Sequence, residues 1–576
     1  MRFAELVEYL KKLEATSKRL EMIDILSKAF SESSTSEIPK MVYIFQETLL
    51  PSFYDVQLGV ADKLVEKAIS KAFDVAIDKV KRANSSMGDI GLTAENFDGN
   101  SARSKLDVVR VYDDLFAISK ISGEGSIEMK VNRIAELLGA MSPLEARYTA
   151  RFLLGQLRLG VGEATIMEAL SLAKSGNRGF KSELERAYNM SSDLGRVAEV
   201  FYEKGEAGIK KFKIEVMNPI KSALAERLNS AEEILAKLGK CALDQKFDGF
   251  RAQVHKNGNN VKVFSRNQED ITHFMPEIID AVKKLKQDKL IFDSEALTYD
   301  EDTNTLYPFQ VTIQRKRKHN IEEVSGNFPL RLFVFDIMLL NNRELINEPY
   351  LKRRQVIDEL FSASGTISKS KIIITDSKEE FNKFFDETVG EGLEGLVAKK
   401  LDAPYSAGAR NFNWIKIKRS YKAQLSDTID IVILGYFRGR GARADLGVGA
   451  VLGGVYDDRE DMFKTLTKVG SGFSEEQFKQ LKRLLDEIKL YKKPTRVDAI
   501  LIPDVWVEPK YVITVKADEI TKSPIHTCGR EGGSGYALRF PRAVSFVRTD
   551  KRAEDSNSVK EIIEMFEEQK KVALKP

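Results

Sequence analysis

The sequence predicts three consecutive domains, the first all-α, the second α+β and the third a small β-barrel. Its 576 residues are enough for three or four domains, each with its own hydrophobic core. Helical spacing of apolar residues dominates the first part, and short β-rich runs replace it near residue 240. A strong strand followed by a Gly/Arg-rich stretch marks a second change near residue 420. We therefore place the domains at 1–220, 221–420 and 421–576.

The helices of the first domain are predicted from its apolar side chains. Phe3, Leu6, Val7 and Leu10 follow the i, i+3, i+4, i+7 spacing of one buried helix face. Glycine-containing segments such as 88–91 are typical of loops between helices. This part of the chain is therefore expected to be a bundle of helices.

Strand patterns predict the second and third domains. In the second, short β-rich runs alternate with Asn, Gly and Asp turns, as at 261–264, 332–335 and 395–398. In the third, 429–437 reads as a strong strand and several shorter runs follow it, which is typical of a small barrel. The Ser-x-x-Glu pattern that begins at Ser558 predicts the start of a final helix.

The charge and the cysteine content exclude several classes of protein. Ninety Lys and Arg against 86 Asp and Glu give a net charge of +4, which excludes a basic tail protein and an acidic disordered one. Cys241 and Cys528 cannot form a four-cysteine zinc site and indicate a reducing compartment. No apolar run reaches the roughly 18 residues of a membrane span. We therefore expect a cytoplasmic protein without membrane contact.

The clearest chemical motif is K-F-D-G-F-R at 246–251. A lysine becomes a nucleophile when its ammonium group loses a proton, which burial and neighbouring cations favour. The pair Asp248 and Gly249 allows a tight turn close to a ligand, and the guanidinium of Arg251 is suited to phosphate. Taken alone, the motif is equally compatible with a surface turn.

Further motifs follow in chain order, and each carries a charged or aromatic residue on a predicted strand or at its end. They are S-R-N at 265–267, I-F-D-S-E-A-L at 291–297, F-V-F-D at 333–336, E-G-L-V-A-K at 394–399, W-I-K-I-K at 414–418, and L-R-F-P-R at 538–542 with V-R-T-D-K at 547–551. In this order the series resembles the motifs of the covalent nucleotidyltransferases. That superfamily contains ATP-dependent DNA ligases, RNA ligases and mRNA capping enzymes.

Motifs outside the catalytic series narrow the resemblance. G-D-I-G at 88–91 and G-Q-L-R-L-G at 155–160 resemble the DNA-binding domain of archaeal and eukaryotic replicative DNA ligases. P-F-Q at 308–310, Q-R-K-R-K at 314–318 and V-W-V-E-P-K at 505–510 resemble the same group. The resemblance covers nearly the whole chain and is closest to an archaeal-type ATP-dependent DNA ligase. It implies an all-α DNA-binding domain, an α+β adenylation domain and a C-terminal OB-fold β-barrel.

The resemblance implies a three-step reaction at Lys246. This residue would attack the α-phosphate of ATP, AMP would pass to the 5′-phosphate of a nick, and the 3′-hydroxyl would then displace AMP. Phosphoryl transfer of this kind depends mostly on positioning and charge stabilisation. The resemblance therefore also implies Mg²⁺, with Mn²⁺ as an alternative, held by Glu295 and Glu394.

The same resemblance assigns the other contacts. Phe335 would stack on adenine and Asp244 would help to recognise it, although these ligases usually carry Glu at that position. Contacts to the nucleotide and the nick are implied for Arg251, Arg266, Arg410, Lys416 and Lys418. Pyrophosphate orientation, in the first step only, is implied for Arg539, Arg542, Arg548 and Lys551. DNA contacts are implied for Gly155, Arg158, Gly160, Arg315 and Arg317.

The implied partner is nicked double-stranded DNA, bound by a monomer. The family also allows a sliding clamp as a partner, but residues 92–105 contain no clear clamp-binding peptide. An RNA ligase and a GTP-dependent capping enzyme share the catalytic motifs, although neither needs a helical domain of this size. A non-catalytic protein that only binds nicks is a further alternative, and the intact Lys246, Glu295 and Glu394 argue against it.

Overall fold

The computed structural model describes most of the chain with side chains. The described residues are 1–98, 105–300, 305–306, 329–418, 428–439, 447–517 and 519–573. Arg315 and Arg317, predicted to contact DNA, lie outside these residues. No helix of the described residues is long and apolar enough to cross a membrane. Cys241 and Cys528 are both buried and free.

The N-terminal region is helical, as predicted. Its helices are α1 Phe3–Ala15, α2 Arg19–Ser31, α3 Ile38–Phe45, α4 Asp62–Ala72, α5 Ile77–Met87, α6 Ile90–Phe97, α7 Val108–Ser119, α8 Ser126–Gly139, α9 Pro143–Leu153, α10 Glu163–Ser175, α11 Lys181–Ser191 and α12 Leu194–Lys210. Their buried faces share one hydrophobic core that runs from Phe3 to Ile209. Local signals set the helix starts: α9 begins at a capping box of Ser142 and Glu145, with Pro143 in its first turn.

The central region contains two sheets. Its elements are β1 Leu224–Arg227, α13 Ala231–Leu238, β2 Cys241–Lys246, β3 Phe250–Asn257, β4 Asn260–Phe264, α14 Pro276–Lys283, β5 Lys289–Asp300, β6 Thr305–Leu306, β7 Leu330–Leu340, β8 Arg343–Glu344, α15 Tyr350–Leu360, β9 Ile367–Lys369, β10 Ile372–Thr375, α16 Lys378–Gly390, β11 Gly395–Lys400 and β12 Arg410–Lys418. The first sheet has the order β1-β12-β11-β2-β10, and the second has β4-β3-β5-β7-β8 with β6 and β9 at its margins.

Each central sheet is covered by helices on one face and approaches the other sheet with its second face. Helices α13 and α16 pack on the first sheet, and α14 and α15 pack on the second. A third cluster, which includes Ile291, Met338 and Trp414, lies between the sheets. Alternation along β2, β5 and β12 therefore directs every second side chain toward the space between the sheets.

The C-terminal region is built from short strands and two helices. They are β13 Thr428–Phe437, β14 Ala450–Asp457, β15 Met462–Val469, α17 Glu475–Glu487, β16 Lys489–Leu490, β17 Val497–Asp498, β18 Val505–Val507, β19 Val512–Lys516, β20 Glu519–Ser523, β21 Gly535–Arg539, β22 Arg542–Ala543 and α18 Val559–Ala573. The predicted final helix is present as α18, and Ser558 and Glu561 form its capping hydrogen bonds.

The predicted small β-barrel is present only as a half-barrel. The main sheet has the order β16-β18-β13-β14-β15-β17, with β19 and β22 added beside β13, and no pairing among the described residues joins its two edges. The edge at β15 is instead met by Thr527 and Cys528, whose N–H groups donate to the carbonyl of Thr465 at 3.1 and 3.0 Å. Strands β20 and β21 pair only with each other. The sheet is therefore a half-barrel, whose edge is covered by loop hydrogen bonds and a separate hairpin.

Candidate active site

A cavity of about 1350 Å³ lies between the two central sheets and the C-terminal region. Twelve residues predicted from the sequence motifs line it. They are Asp244, Lys246, Arg251, Arg266, Glu295, Phe335, Glu394, Arg410, Lys416, Lys418, Arg548 and Lys551. Strands far apart in the chain thus bring these side chains to one place.

Lys246 ends strand β2, and the turn that follows fixes its surroundings. Its side chain is 25% exposed and forms an ion pair with Glu394. Gly249 lies so close to β5 that a Cβ atom there would be 2.4 Å from the carbonyl oxygen of Ala296, which explains the glycine. The N–H of Gly249 donates to Glu295 Oε1 at 3.1 Å. The turn thus holds Lys246 and Glu295 at the same end of the cavity.

Strand register explains how Lys246, Glu394 and Lys418 meet. Strand β11 pairs with β2 on one side and with β12 on the other, and Gly395 lies opposite both Lys246 and Lys418. Lys418 Nζ donates to Glu394 Oε1 at 2.9 Å. Burial opposes the charged carboxylate of Glu394, but Lys246 and Lys418 hold its pKa well below its usual range. Glu394 is therefore an anion at neutral pH.

Glu295 differs from Glu394 in its charge balance. Burial raises the pKa of Glu295 from 4.5 to about 7, although Lys246 and Arg251 favour its charged form. Between these two values the folded protein holds a proton that the unfolded chain has released. The contribution of Glu295 to stability therefore falls as the pH rises through this window. Burial of this carboxylate in the site therefore lowers the stability of the folded protein.

We expect Glu295→Gln to stabilise the free protein relative to the wild type, and increasingly so as the pH rises from about 4.5 to about 7. Thermal melting of both proteins across this range would measure the difference. Glu359→Gln, at an exposed position, is the control and should show no such trend. A melting-temperature difference for Glu295→Gln that does not change with pH would contradict the burial of a titrating carboxylate.

Arg251 is held by a buried carboxylate from the same motif as Glu295. Arg251 Nη2 lies 2.5 Å from Asp293 Oδ2, and Asp293 has no exposed surface. The hydroxyl of Tyr405 donates to the same oxygen at 2.6 Å. The guanidinium also lies 5.2 Å from the ring centroid of Phe335. Asp293 thus orients Arg251 toward the cavity and is itself withdrawn from it.

The C-terminal region closes the cavity with ion pairs. Arg410 forms an ion pair with Glu561 of α18, and Lys416 Nζ lies 3.6 Å from the same carboxylate. Lys551 pairs with Asp430. Burial lowers the pKa of Lys416 to about 7, even though the charge of Glu561 favours the protonated form. Three of the predicted nucleotide cations, Arg266, Arg410 and Lys416, are therefore paired with acidic side chains of the C-terminal region in this arrangement.

The residues of the last motif are divided between the cavity and the surface. Arg548 lines the cavity and pairs with Asp550 at 2.5 Å. Arg539 lies outside it, 57% exposed, and pairs with Glu519 at 2.8 Å. Arg542 is also exposed and does not line the cavity. The structure thus brings Arg548 and Lys551 to the site but not Arg539 or Arg542.

The predicted DNA-binding loop forms a strained turn that faces the C-terminal region. Gly155, Arg158 and Gly160 all have left-handed backbone angles, with φ of 62°, 59° and 66°. Arg158 Nη1 lies 3.5 Å from Asp89 Oδ2, which joins the two glycine-containing motifs of the helical region. Its Nη2 donates to the carbonyl of Lys489 at 3.3 Å. In this arrangement the loop therefore contacts protein rather than open solvent.

Comparison with known proteins identifies the family. Three family models match consecutive segments: DNA ligase N terminus at 2–171, ATP-dependent DNA ligase domain at 222–418 and ATP-dependent DNA ligase C-terminal region at 444–551. The probable DNA ligase of Dictyoglomus turgidum is 50% identical over 573 residues, 99% of this chain and 98% of that protein. The chain belongs to the ATP-dependent DNA ligase family. The DNA ligases of Nitrosopumilus maritimus and Pyrobaculum calidifontis are 39% and 40% identical and are each matched over at least 99% of both chains.

Family membership confirms the resemblance drawn from the ordered motifs, and the protein is a DNA ligase of the ATP-dependent type. Several residues of this ligase that line the cavity had no assigned role in the sequence. They are Asp248, Lys399, Asp430, Asp550 and Glu561. The sequence predicts Asp248 only as part of a turn and Glu561 only as part of a helix cap. Their sequence signals are local, whereas their place in the site depends on tertiary contacts.

Proposed function

We propose that this ligase seals nicks in duplex DNA through an intermediate in which AMP is attached to Lys246. The observation that carries the proposal is the position of Lys246 at one end of a cavity lined by cations from several strands of both central sheets and from the C-terminal region. In the first step a bond forms between Lys246 Nζ and the α-phosphorus, and the bond to the β-phosphate oxygen breaks. Pyrophosphate leaves, and the amine loses a proton. Arg251, Lys416 and Lys418 would stabilise charge on the phosphates.

Glu295 and Glu394 fit a Mg²⁺ ion shared with the substrate. No group of three or more His, Cys, Asp or Glu side chains that could hold a metal exists among the described residues. Two carboxylates near a phosphate site match the usual way in which Mg²⁺ is bound, with phosphates and waters as the other ligands. When bound, the ion would neutralise phosphate oxygens. Before a metal ion binds, Glu394 would orient Lys246 and Lys418, with which it pairs.

The base end of the cavity supports adenine binding. Phe335 of β7 lies there with Trp414, whose ring centroid is 6.1 Å away, and Asp244 faces the cavity from strand β2 of the other sheet. An aromatic ring beside a carboxylate suits a base that is stacked on one face and donates from its edge. We assign adenine stacking to Phe335 and edge recognition to Asp244.

Binding to DNA requires the domains to move apart. We propose the divisions 1–220, 221–420 and 421–576, and the last of them meets the other two through ion pairs and hydrogen bonds at the cavity and at the Arg158 loop. Release of these contacts would free Gly155, Arg158 and Gly160 for the phosphate backbone. Arg315 and Arg317 stay predicted DNA contacts. Contacts of this type read DNA shape and charge rather than base sequence. A monomer would then surround the nick.

The proposal also places the ligase in the cytoplasm, where it would seal nicks that arise during DNA replication and repair. A sliding clamp as a partner stays a prediction of the family resemblance. Residues 99–104, within the segment where a clamp-binding peptide was sought, lie outside the described residues.

We expect binding to nicked duplex DNA to weaken steeply as salt rises. If six or more phosphates are neutralised, affinity should fall by about 10³-fold between roughly 50 and 200 mM salt. A fluorescence-anisotropy titration at several salt concentrations would measure the slope. Arg158→Ala should reduce the slope of log affinity against log salt by about one. A flat response in the wild type would contradict encirclement of DNA through phosphate contacts.

The decisive experiment for the proposed reaction is a labelling assay. Pure protein is incubated with Mg²⁺ and α-labelled ATP, with GTP and NAD in parallel, and the adduct is mapped on a denatured sample. We expect label from ATP on Lys246 that nicked duplex DNA then discharges. An adduct from GTP would favour capping chemistry, and an adduct that only nicked RNA discharges would favour an RNA ligase. The absence of any adduct on folded protein would refute covalent catalysis.

A further inference from the structure

Lys399 is a buried cation that the proposed reaction leaves without a role. It lies on β11, and its side chain is only 1% exposed. Its Nζ donates to Asp244 Oδ2 and to the carbonyl of Phe335, both at 2.8 Å. Three aromatic rings surround the ammonium group, with centroids 4.5 Å away for Trp414, 4.8 Å for Tyr350 and 5.0 Å for Phe335. Such a cage holds a cation in one position.

The two oxygens of Asp244 have different surroundings. Oδ2 accepts from Lys399 and lies 3.5 Å from the hydroxyl of Tyr350. Oδ1 is buried and has no hydrogen-bond partner in the described part of the chain. Asp244 and Lys399 line the cavity, beside Phe335. A buried acceptor without a partner costs free energy unless a ligand supplies the donor. Oδ1 is therefore the atom that a bound base would meet.

We infer that Lys399 is a positioning residue that sets the base specificity of this ligase. By holding Oδ2, it leaves Oδ1 as a single acceptor at a fixed point. Oδ1 can then accept from the 6-amino group of adenine and repels the 6-oxo group of hypoxanthine or guanine, because an ionised carboxylate only accepts. The fixed orientation also prevents the carboxylate from turning to the N1–H of those bases. The inference rests on the proposed function, since it assumes that the cavity binds ATP.

Loss of the cation should change what Asp244 can recognise. Without Lys399, Oδ2 of Asp244 loses its donor at 2.8 Å, and the carboxylate can rotate toward the N1–H of a 6-oxo base. Lys399 donates to Asp244 and Phe335, whereas Lys246 and Lys418 pair with Glu394. Substitution of Lys399 should therefore change which base is chosen. A residue that only supported the fold would instead weaken the use of every nucleotide to the same extent.

The test compares adduct formation from ATP and from inosine triphosphate, which carries a 6-oxo group in place of the 6-amino group. We expect the wild type to prefer ATP on the order of 10- to 100-fold, the worth of one hydrogen bond to a charged group. Lys399→Met should reduce the preference to about threefold or less, with a gain in the use of inosine triphosphate. Lys399→Arg, which keeps a cation, should restore part of it. The control is Lys400→Met, whose side chain is 47% exposed.

Two further measurements keep the inference open to refutation. Asp244→Asn has nearly the same shape and should also lose the preference, because an amide can turn either its oxygen or its nitrogen to the base. If melting shows that Lys399→Met is unfolded, Asp244→Asn serves as the test of the inference. An unchanged preference in folded Lys399→Met or in Asp244→Asn would overturn the inference about Lys399 and leave the proposed function standing. A wild type that forms no adduct with either nucleotide would instead refute the proposed function.

Discussion

Lys246→Ala is expected to abolish the adduct with ATP and the sealing of ordinary nicks, a loss of at least about 10⁴-fold. Lys246 supplies the amine that would attack the α-phosphorus, and alanine offers no nucleophile in its place. Binding to nicked DNA should persist, because the DNA contacts are proposed for other regions. Gel-based labelling and a nick-sealing assay on the same preparations would measure both effects.

Two variants separate the nucleophile from the charge. Lys246→Arg keeps a cation beside Glu394, but arginine stays protonated and cannot attack phosphorus, so it should be as inactive as alanine. Lys240→Ala, at an exposed position just before β2, is the control. A nick that already carries AMP on its 5′-phosphate bypasses the first two steps, and the alanine variant should still seal it to a measurable degree. Full sealing of ordinary nicks by either Lys246 variant would disprove its assignment.

The sequence was most informative where function depends on strand geometry. Lys246, Glu394 and Lys418 belong to three separate motifs, and they meet because β11 pairs with both β2 and β12. A motif placed on a strand fixes which face its side chains occupy, so residues of several motifs can be expected on one wall of a cavity. Register between distant strands is not encoded locally, and only the folded chain shows which of them touch.

The sequence was least informative about closure and about pairing between regions. The half-barrel was predicted only as a small β-barrel, because short strands do not indicate whether the last edge finds a partner or a loop. Glu561 was predicted as a helix cap, yet the same carboxylate also pairs with Arg410 across the cavity. Arg539 was predicted at the site from its motif, but it lies on the surface in this arrangement. Contacts of this kind depend on how whole regions are arranged, which periodicity does not report.

Arg548 provides the test of that arrangement, because it reaches the cavity only when the C-terminal region is closed over it. Its guanidinium is held by Asp550, and burial raises the pKa of the nearby Asp248 carboxyl, which Glu394 reinforces. Arg548 would bind the leaving pyrophosphate, so it should matter only while ATP is present. We therefore expect Arg548→Ala to slow adduct formation by about 10²- to 10³-fold, the usual loss for one charge-stabilising group.

The sealing of a nick that already carries AMP should be nearly unchanged in Arg548→Ala, because the proposed domain movement takes the C-terminal region away from the cavity before that step. Single-turnover rates of adduct formation and of sealing would measure the two steps separately, with the exposed Arg530→Ala as control. A single rigid arrangement for the whole reaction predicts that both rates fall together. A selective loss of the first step requires two arrangements, one that admits ATP and one that admits DNA. The ratio of the two rates therefore distinguishes a moving C-terminal region from a static one.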